Sequence, residues 1–253
     1  MMIVDFGGGT LDVSIVECFE NIIEITAIAG DNRLGGDDID RAIAAHFCRE
    51  NGLMEETLDP ILRASLYRQA ETAKIALSSV PAASISLQQG DAQYSLVLTN
   101  ELLRTLCAPV FQRVRAVIAR AMKDRERGGR ISDVILVGGS AQLTVFGDFL
   151  EELFGRRPHV AAAPDEIVAL GVGLCAGIKE RAEDLQDLVM TDVCPFSLGV
   201  ATVNYAGDKT PHVTVLIPRS SMLPASRQER FVTLVNNQDT LRFEIYQGEG
   251  YFA

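Results

Sequence analysis

Two aspartates, Asp5 and Asp12, bracket the run Phe6-Gly7-Gly8-Gly9-Thr10-Leu11 near the start of the chain. Met2-Ile3-Val4 before it reads as the tail of a buried strand, and Leu11 to Ser14 reads as the start of the next, so the glycines form a turn between strands. Three successive glycines let the backbone approach a ligand closely and turn several N–H groups inward, the way loops cradle phosphate. Carboxylates at the ends of opposing strands can hold a hydrated Mg²⁺ beside such a phosphate. The same string also serves as a plain tight hairpin, so it points to nucleotide chemistry only in company.

That company comes later in the chain. Ile131-Ser132-Asp133-Val134-Ile135-Leu136-Val137 reads as a buried parallel-type strand that ends in Gly138-Gly139-Ser140, followed by a helical pattern through Phe154. A strand, two glycines and a serine N-cap would place free helix N–H groups at the carboxyl edge of a sheet, where α/β folds bind ligands. Ala163-Pro164-Asp165-Glu166 supplies a third such point, a proline and two acids opening a helix. Three sites of this kind imply one cleft.

The blocks resemble the DnaK-type heat-shock chaperone family, and specifically the second half of its actin-like ATPase domain. Asp5 to Ser14 is similar to the family's second phosphate motif and Val134 to Gln142 to its adenosine motif, with Gly30-Asp31-Asn32-Arg33-Leu34-Gly35-Gly36-Asp37-Asp38 between them. Thr191-Asp192-Val193-Cys194-Pro195-Phe196-Ser197-Leu198-Gly199 is similar to the junction into the family's peptide-binding domain, and its cysteine resembles the HscC-like branch. Order and spacing together make the likeness specific over nearly the whole chain.

The resemblance implies a set of site residues. Gly7, Gly8 and Thr10 match contacts to the β- and γ-phosphates, and Asp5 and Asp12 match positions near the metal ions. Glu71, Lys74 and Ser78 match groups that contact the adenosine, and Gly138, Gly139, Ser140, Gln142 and Asp165 match the other wall of that pocket. Intervals of three, four and seven also put Glu71, Lys74 and Ser78 on one helical face without reference to any family. Gln142 stands where many members carry an arginine, and Ile75 where eukaryotic members carry a second one and bacterial members often an aliphatic residue. The implied cofactors are ATP or ADP with Mg²⁺, and K⁺ as a further cation. The implied partners are unfolded peptide segments, a J-domain co-chaperone and a nucleotide exchange factor. The family's first lobe would precede Met1, so the expected chain is a fragment carrying half of the nucleotide site and inactive alone as an ATPase.

The chain has 253 residues, 47% of them hydrophobic, enough for one large or two modest cores. A formal charge of -11 argues against nucleic acid, whose phosphates need a basic face. No apolar run approaches ~20 residues, and no basic-then-apolar leader precedes the first strand. The expectation is a cytoplasmic protein without a membrane partner. Five scattered cysteines without a Cys-x-x-Cys pair fit reduced, mostly buried thiols.

The expected fold class is α/β, an actin-like ATPase lobe with an inserted α+β subdomain, followed by a truncated β-sandwich. Residues 1–35 and 130–183 form the base, 36–129 the insertion, 184–196 a linker and 197–253 the partial sandwich. Within this scheme helices run from Gly35-Gly36-Asp37 to Glu50, from about Leu58 to Ser79, and from a Thr99 cap to Arg127. Ser84–Leu87 and Tyr94–Leu98 pair around Gly90-Asp91. Ala169 to Gly177 reads as a glycine-bearing helix packed closely on the sheet, and Arg125, Arg127 and Arg130 as a solvated basic loop. In the tail, Leu241, Phe243 and Ile245 alternate as on one face of a strand. By resemblance, Val200, Val203, Phe231, Leu241 and Phe243 match the family's peptide-contacting region, although sandwich core explains each as readily. Two rivals share the actin-like sheet, a sugar or acetate kinase and a filament protein, and a degenerate lobe that binds no nucleotide is a third. The strand-rich tail after Val193 favours the chaperone.

Overall fold

The computed structural model describes residues 1–125, 130–164, 166–180, 182, 187–203 and 210–250. Three strands open it: β1 (Met2–Phe6), β2 (Leu11–Phe19) and β3 (Ile22–Asp31), joined as antiparallel neighbours. Met2, Val4 and Phe6 point to one face with Leu11, Val13 and Ile15, all fully buried, which is the two-residue period expected of a sheet covered by helices. Then follow α1 (Gly36–Glu50), α2 (Pro60–Ala76), a hairpin of β4 (Ala82–Gln89) and β5 (Ala92–Thr99), and the long α3 (Asn100–Asp124). The chain returns through β6 (Val134–Val137), α4 (Thr144–Phe154), β7 (His159–Val160) and α5 (Ile167–Lys179). The tail holds β8 (Val189–Val193), β9 (Leu198–Thr202), β10 (His212–Ile217), β11 (Met222–Leu223) and β12 (Ile245–Gln247).

Seven strands make the main sheet in the order β11-β8-β3-β2-β1-β6-β7, with β6 parallel to β1. One hydrophobic cluster runs from this sheet through α1 and α3 to α4 and out to the β4–β5 hairpin. Its aromatic centre is Phe6 against Phe146 at 4.6 Å and Phe111 stacked on Phe149 at 4.8 Å, so α3 and α4 are locked over β1. A four-residue network of surface charge ties the connection after β3 to α3: Arg113 reaches Asp31 at 2.9 Å and Asp38 at 3.4 Å, and Asp38 also takes Arg41 at 2.7 Å.

Caps set the helix limits. Thr99 Oγ1 accepts the Leu102 amide at 3.2 Å, as expected, and Asp59 accepts the Ile61 amide at 2.8 Å ahead of Pro60 at the first helical position. The second helix is therefore Pro60–Ala76 and shorter than Leu58–Ser79; Ser78 sits in the turn after it, its amide on the Ile75 carbonyl.

Four other expectations change. Ser140 caps no α-helix: Gly138, at φ +88°, swings the chain into a 3₁₀ turn over Gly139–Gln142, and α4 begins only at Thr144. The glycine-bearing α5 is a helix, but it does not pack on the sheet: none of its residues is buried, and a side-chain carbon at Gly171 or Gly173 would meet nothing within 4 Å. Arg125 is no solvated cation, being paired with Glu17 at 3.0 Å with its side chain 10% exposed; Arg127 lies outside the described residues. Only Ile245 of the alternating trio is in a strand, since β12 starts where pairing with Val200 of β9 starts, and Leu241, Phe243 and Ile245 are all exposed.

The stretch expected as a linker supplies structure of its own. Within it β8 adds to the open edge of β3 in parallel, Ile22 opposite Val189 and Glu24 opposite Thr191, and β11 then pairs with β8. Arg219, just before β11, reaches Asp124 at the end of α3 at 2.9 Å and the Ile28 carbonyl in β3. Main-chain pairing and a half-buried ion pair thus join the tail to the sheet. All five cysteines are free, with Cys48, Cys107 and Cys194 buried and Cys18 and Cys175 exposed. Among the described residues no helix is long and apolar enough to cross a membrane.

Candidate functional site

The glycine hairpin is held from behind. Gly7 N–H donates to the Thr10 carbonyl at 3.0 Å, closing the turn, while the Gly7 and Gly8 carbonyls accept from the Gly36 and Asp37 amides at 3.0 and 2.7 Å. The first amides of α1 therefore fix the hairpin and are not left for a ligand. Ser140 Oγ donates to the same Gly7 carbonyl at 2.9 Å, which is why it is buried and why it does not cap a helix. This contact joins the two glycine motifs across 133 residues of sequence.

Glycine is required at the crossings. A Cβ at Gly35 would lie 2.3 Å from the Gly8 carbonyl oxygen, and one at Gly36 would lie 2.4 Å from Ser140 Oγ and 3.1 Å from Lys74 Nζ. At Gly138 the positive φ and a Cβ position 2.7 Å from Asp5 Oδ1 make the same demand.

Asp5 and Asp12 are direct partners across the β1–β2 ladder. Burial raises both carboxyls above their ordinary range, and Asp12 pushes Asp5 up further. Two facing, partly desolvated carboxylates are a donor set for a hard cation, which would relieve both effects. Among the described residues no cluster of three or more acidic, histidine or cysteine ligands forms, so a metal there would draw its remaining ligands from water or phosphate.

Next to the hairpin lies a cavity of about 490 Å³ lined by Gly8, Glu71, Lys74, Ser78, Gly139, Ser140 and Gln142, together with Asp37, Ile75, Ser79 and Leu143. Six residues anticipated for the adenosine thus meet one anticipated for phosphate. Gly138 stands behind this wall against Asp5 and Phe6, and its amide donates to the Pro164 carbonyl at 3.3 Å; Asp165 lies outside the described residues. Gly7, Thr10, Asp5 and Asp12 are placed around the hairpin outside this lining. Lys74 is buried, its ammonium donating to Asp40 Oδ2 at 2.8 Å and the Gly36 carbonyl at 3.2 Å. Asp37 and Asp40 were not singled out from the sequence. A signal existed for Asp40: it falls three and four residues before Ile43 and Ala44, within the buried stripe of α1.

In the tail, Val200, Phe231, Leu241 and Phe243 line a second cavity of about 550 Å³ with Leu216, Val232, Thr233 and the polar and charged residues 227–230. Val203 is not part of it, and of the four only Val200 is buried.

A mixed sheet covered by helices, with two glycine turns meeting over a polar cleft, defines an α/β lobe of the actin-like ATPase class. The family model described as Hsp70 protein matches residues 1–253. Heat shock 70 kDa protein 7, chloroplastic, of Arabidopsis thaliana is 34% identical over 264 residues, taking in 100% of this chain and 36% of that protein. The stromal 70 kDa heat shock-related protein, chloroplastic, of Pisum sativum gives the same identity and coverage. Chaperone protein dnaK of Thalassiosira pseudonana is 35% identical over 260 residues, with 98% of this chain and 42% of that protein covered. The chain belongs to the Hsp70 family of heat-shock chaperones and carries sequence of its ATP-binding domain. It spans 36–42% of the length of these relatives. The expectation of a cytoplasmic location is overturned by the chloroplastic relatives.

Proposed function

We propose that the chain supplies one wall of the nucleotide site of an ATP-dependent chaperone, taking ADP or ATP with Mg²⁺ between the glycine hairpin and the α2 wall. The observation that carries this reading is the 490 Å³ cleft in which Gly8 faces Glu71, Lys74, Ser78, Gly139, Ser140 and Gln142. Its volume suits a nucleoside, and its lining combines glycine backbone, hydroxyl, amide and charged groups with Ile75 and Leu143. Gly7, Gly8 and Thr10 would receive the phosphates, and Asp5 and Asp12 would hold the hydrated cation. The cation would supply charge neutralisation to the phosphates, with Asp5 and Asp12 as its protein ligands.

The tail extends the proposal to peptide. Because β8 pairs with β3 and Arg219 reaches Asp124, a shift of the lobe would be passed along the chain from β8 into β9 and from Arg219 back into β10, and so to the apolar cavity around Val200, Phe231, Leu241 and Phe243. Unfolded peptide segments are the proposed occupants of that cavity, with a J-domain co-chaperone and an exchange factor acting on the longer protein. A plastid is the location to which the chloroplastic relatives point. The test is an ADP titration of the chain with Mg²⁺, followed by NMR. Binding is expected, Gly8→Val should abolish it, and Gln142→Arg should tighten it by about two- to thirty-fold through stacking on the adenine. Absence of ADP-dependent shifts at millimolar nucleotide would refute the reading.

A further inference from the structure

Lys74 and Asp40 form an ion pair beneath the cleft, with side chains 7% and 9% exposed. Lys74 projects from α2 and Asp40 from α1, so the pair spans two helices that meet at the hairpin's anchor. The partners are unequal in how well they are satisfied. The ammonium has three donors, of which Asp40 Oδ2 and the Gly36 carbonyl engage two. On the carboxylate, Oδ1 is buried and has no hydrogen-bond partner among the described residues. Burial chiefly holds the Asp40 carboxyl above its ordinary range, the Lys74 hydrogen bond and charge pull it back, and Glu71 and Asp37 push it up further.

Stability alone gives little reason for such a pair. Apolar side chains of similar volume in place of a buried ion pair are often neutral or stabilising. What distinguishes this one is its position. Lys74 lines the nucleotide cleft beside Gly8, Glu71 and Ser140, and the missing side chain of Gly36 is what lets its ammonium lie over that backbone. The remaining neighbour from α3, Cys107, is fully buried with its thiol pushed up to about 12 by burial, so it adds no charge.

We propose that Asp40 is a positioning residue for nucleotide binding: from α1 it fixes the Lys74 ammonium, with Gly36, so that the third N–H is presented to a nucleoside hydroxyl or ring nitrogen in the cleft. The long lysine side chain is then ordered on folding and not at binding, which is how preorganisation raises affinity. The inference rests on the adenosine reading of the cleft and adds the residue that makes Lys74 competent within it.

A double-mutant cycle tests it, with ADP affinity and the thermal midpoint measured for the chain and for D40N, K74M and D40N/K74M. D40N and K74M should each weaken ADP binding by about three- to thirty-fold, and the double variant should bind ADP no more weakly than K74M. A purely structural Asp40 would lower the midpoint and leave ADP affinity unchanged, or would weaken binding again in the K74M background. Either result overturns the proposal. Should D40N fail to fold, D40N/K74M against K74M decides: equal affinity supports the proposal and a further loss overturns it. If the unmutated chain binds no ADP, the adenosine reading falls and this inference with it, whereas equal binding by D40N and the unmutated chain overturns the inference alone.

Discussion

Asp5 and Asp12 face each other across a ladder with no counter-charge described between them, and this has a measurable consequence. Both carboxyls are raised in the folded chain, by burial first and for Asp5 also by its neighbour. A raised acid binds its proton more tightly folded than unfolded, so its favourable contribution is complete below the ordinary value of 3.8 and is lost as pH rises through the folded values. At neutral pH the pair therefore destabilises the fold. Asp12→Asn should raise the thermal midpoint at pH 7 and leave it unchanged at pH 3, and Mg²⁺ should raise the midpoint of the unmutated chain more than that of the variant. Calorimetric scans at the two pH values check this, and a gain at pH 3 as large as at pH 7 would show that the effect is not electrostatic. The glycine turn between two strands and the facing of Asp5 and Asp12 were legible in sequence because glycines and apolar alternation mark such a turn and its register. Ser140 was misread because a hydroxyl after two glycines satisfies the N-cap pattern equally well whether it caps a helix or, as here, donates to Gly7 from a distant strand end. Asp40 was missed because one acid among Asp37, Asp38 and Asp40 reads as solvated unless its place in the apolar period of α1 is weighed.

At the scale of elements, periodicity and caps carried most of the reading. The Thr99 cap and the Gly35 start fixed where α3 and α1 begin, although α3 stops at Asp124, short of Arg127, and alternation fixed the β4–β5 pair. Strand pairing between distant segments was not legible: nothing in Val189 to Val193 specifies parallel addition to β3, since edge pairing is main-chain bonding that many side chains allow. The α5 helix shows the same gap from the other side. Its composition is that of a helix buried all round, yet Val168, Leu170, Val172 and Leu174 are each more than half exposed. Packing partners are a property of the assembled chain, and the apolar pattern names a need without naming what meets it. Because no residue of α5 is buried, charging its exposed face should cost little. The double substitution V172E/L174E should shift the thermal midpoint by no more than about 2 °C, the size of ordinary surface changes in a chain of this length. It should also reduce light scattering on concentration, because a contiguous exposed apolar helix promotes association. A fall of about 10 °C in the midpoint would show instead that these side chains are buried in solution.

For the whole molecule, the arrangement of charge decides what chemistry the chain can carry out by itself. Phosphoryl transfer proceeds by positioning and by stabilising charge on the phosphoryl oxygens, so a competent site surrounds them with donors and cations. Here the cleft beside the hairpin contains the carboxylates of Asp37 and Glu71 and one ammonium, and that ammonium already serves Asp40 and the Gly36 carbonyl. The first amides of α1, which could have faced an anion, are engaged by the Gly7 and Gly8 carbonyls. The net charge of -11 adds a background that repels a nucleotide polyanion and would make its binding depend on Mg²⁺. What remains, on the proposed reading of the cleft, is a wall for the nucleoside and one side of the phosphates, without the positive charge that a transferring γ-phosphoryl needs. The 253-residue chain should therefore bind ADP and ATP with similar affinity in the presence of Mg²⁺, since nothing described here contacts the γ-phosphate selectively, and should release phosphate from ATP at the buffer rate. Phosphate release followed over hours, with Thr10→Ala as the control, checks this: turnover that accompanies the purified chain and disappears in the variant would place a complete catalytic cage within these residues.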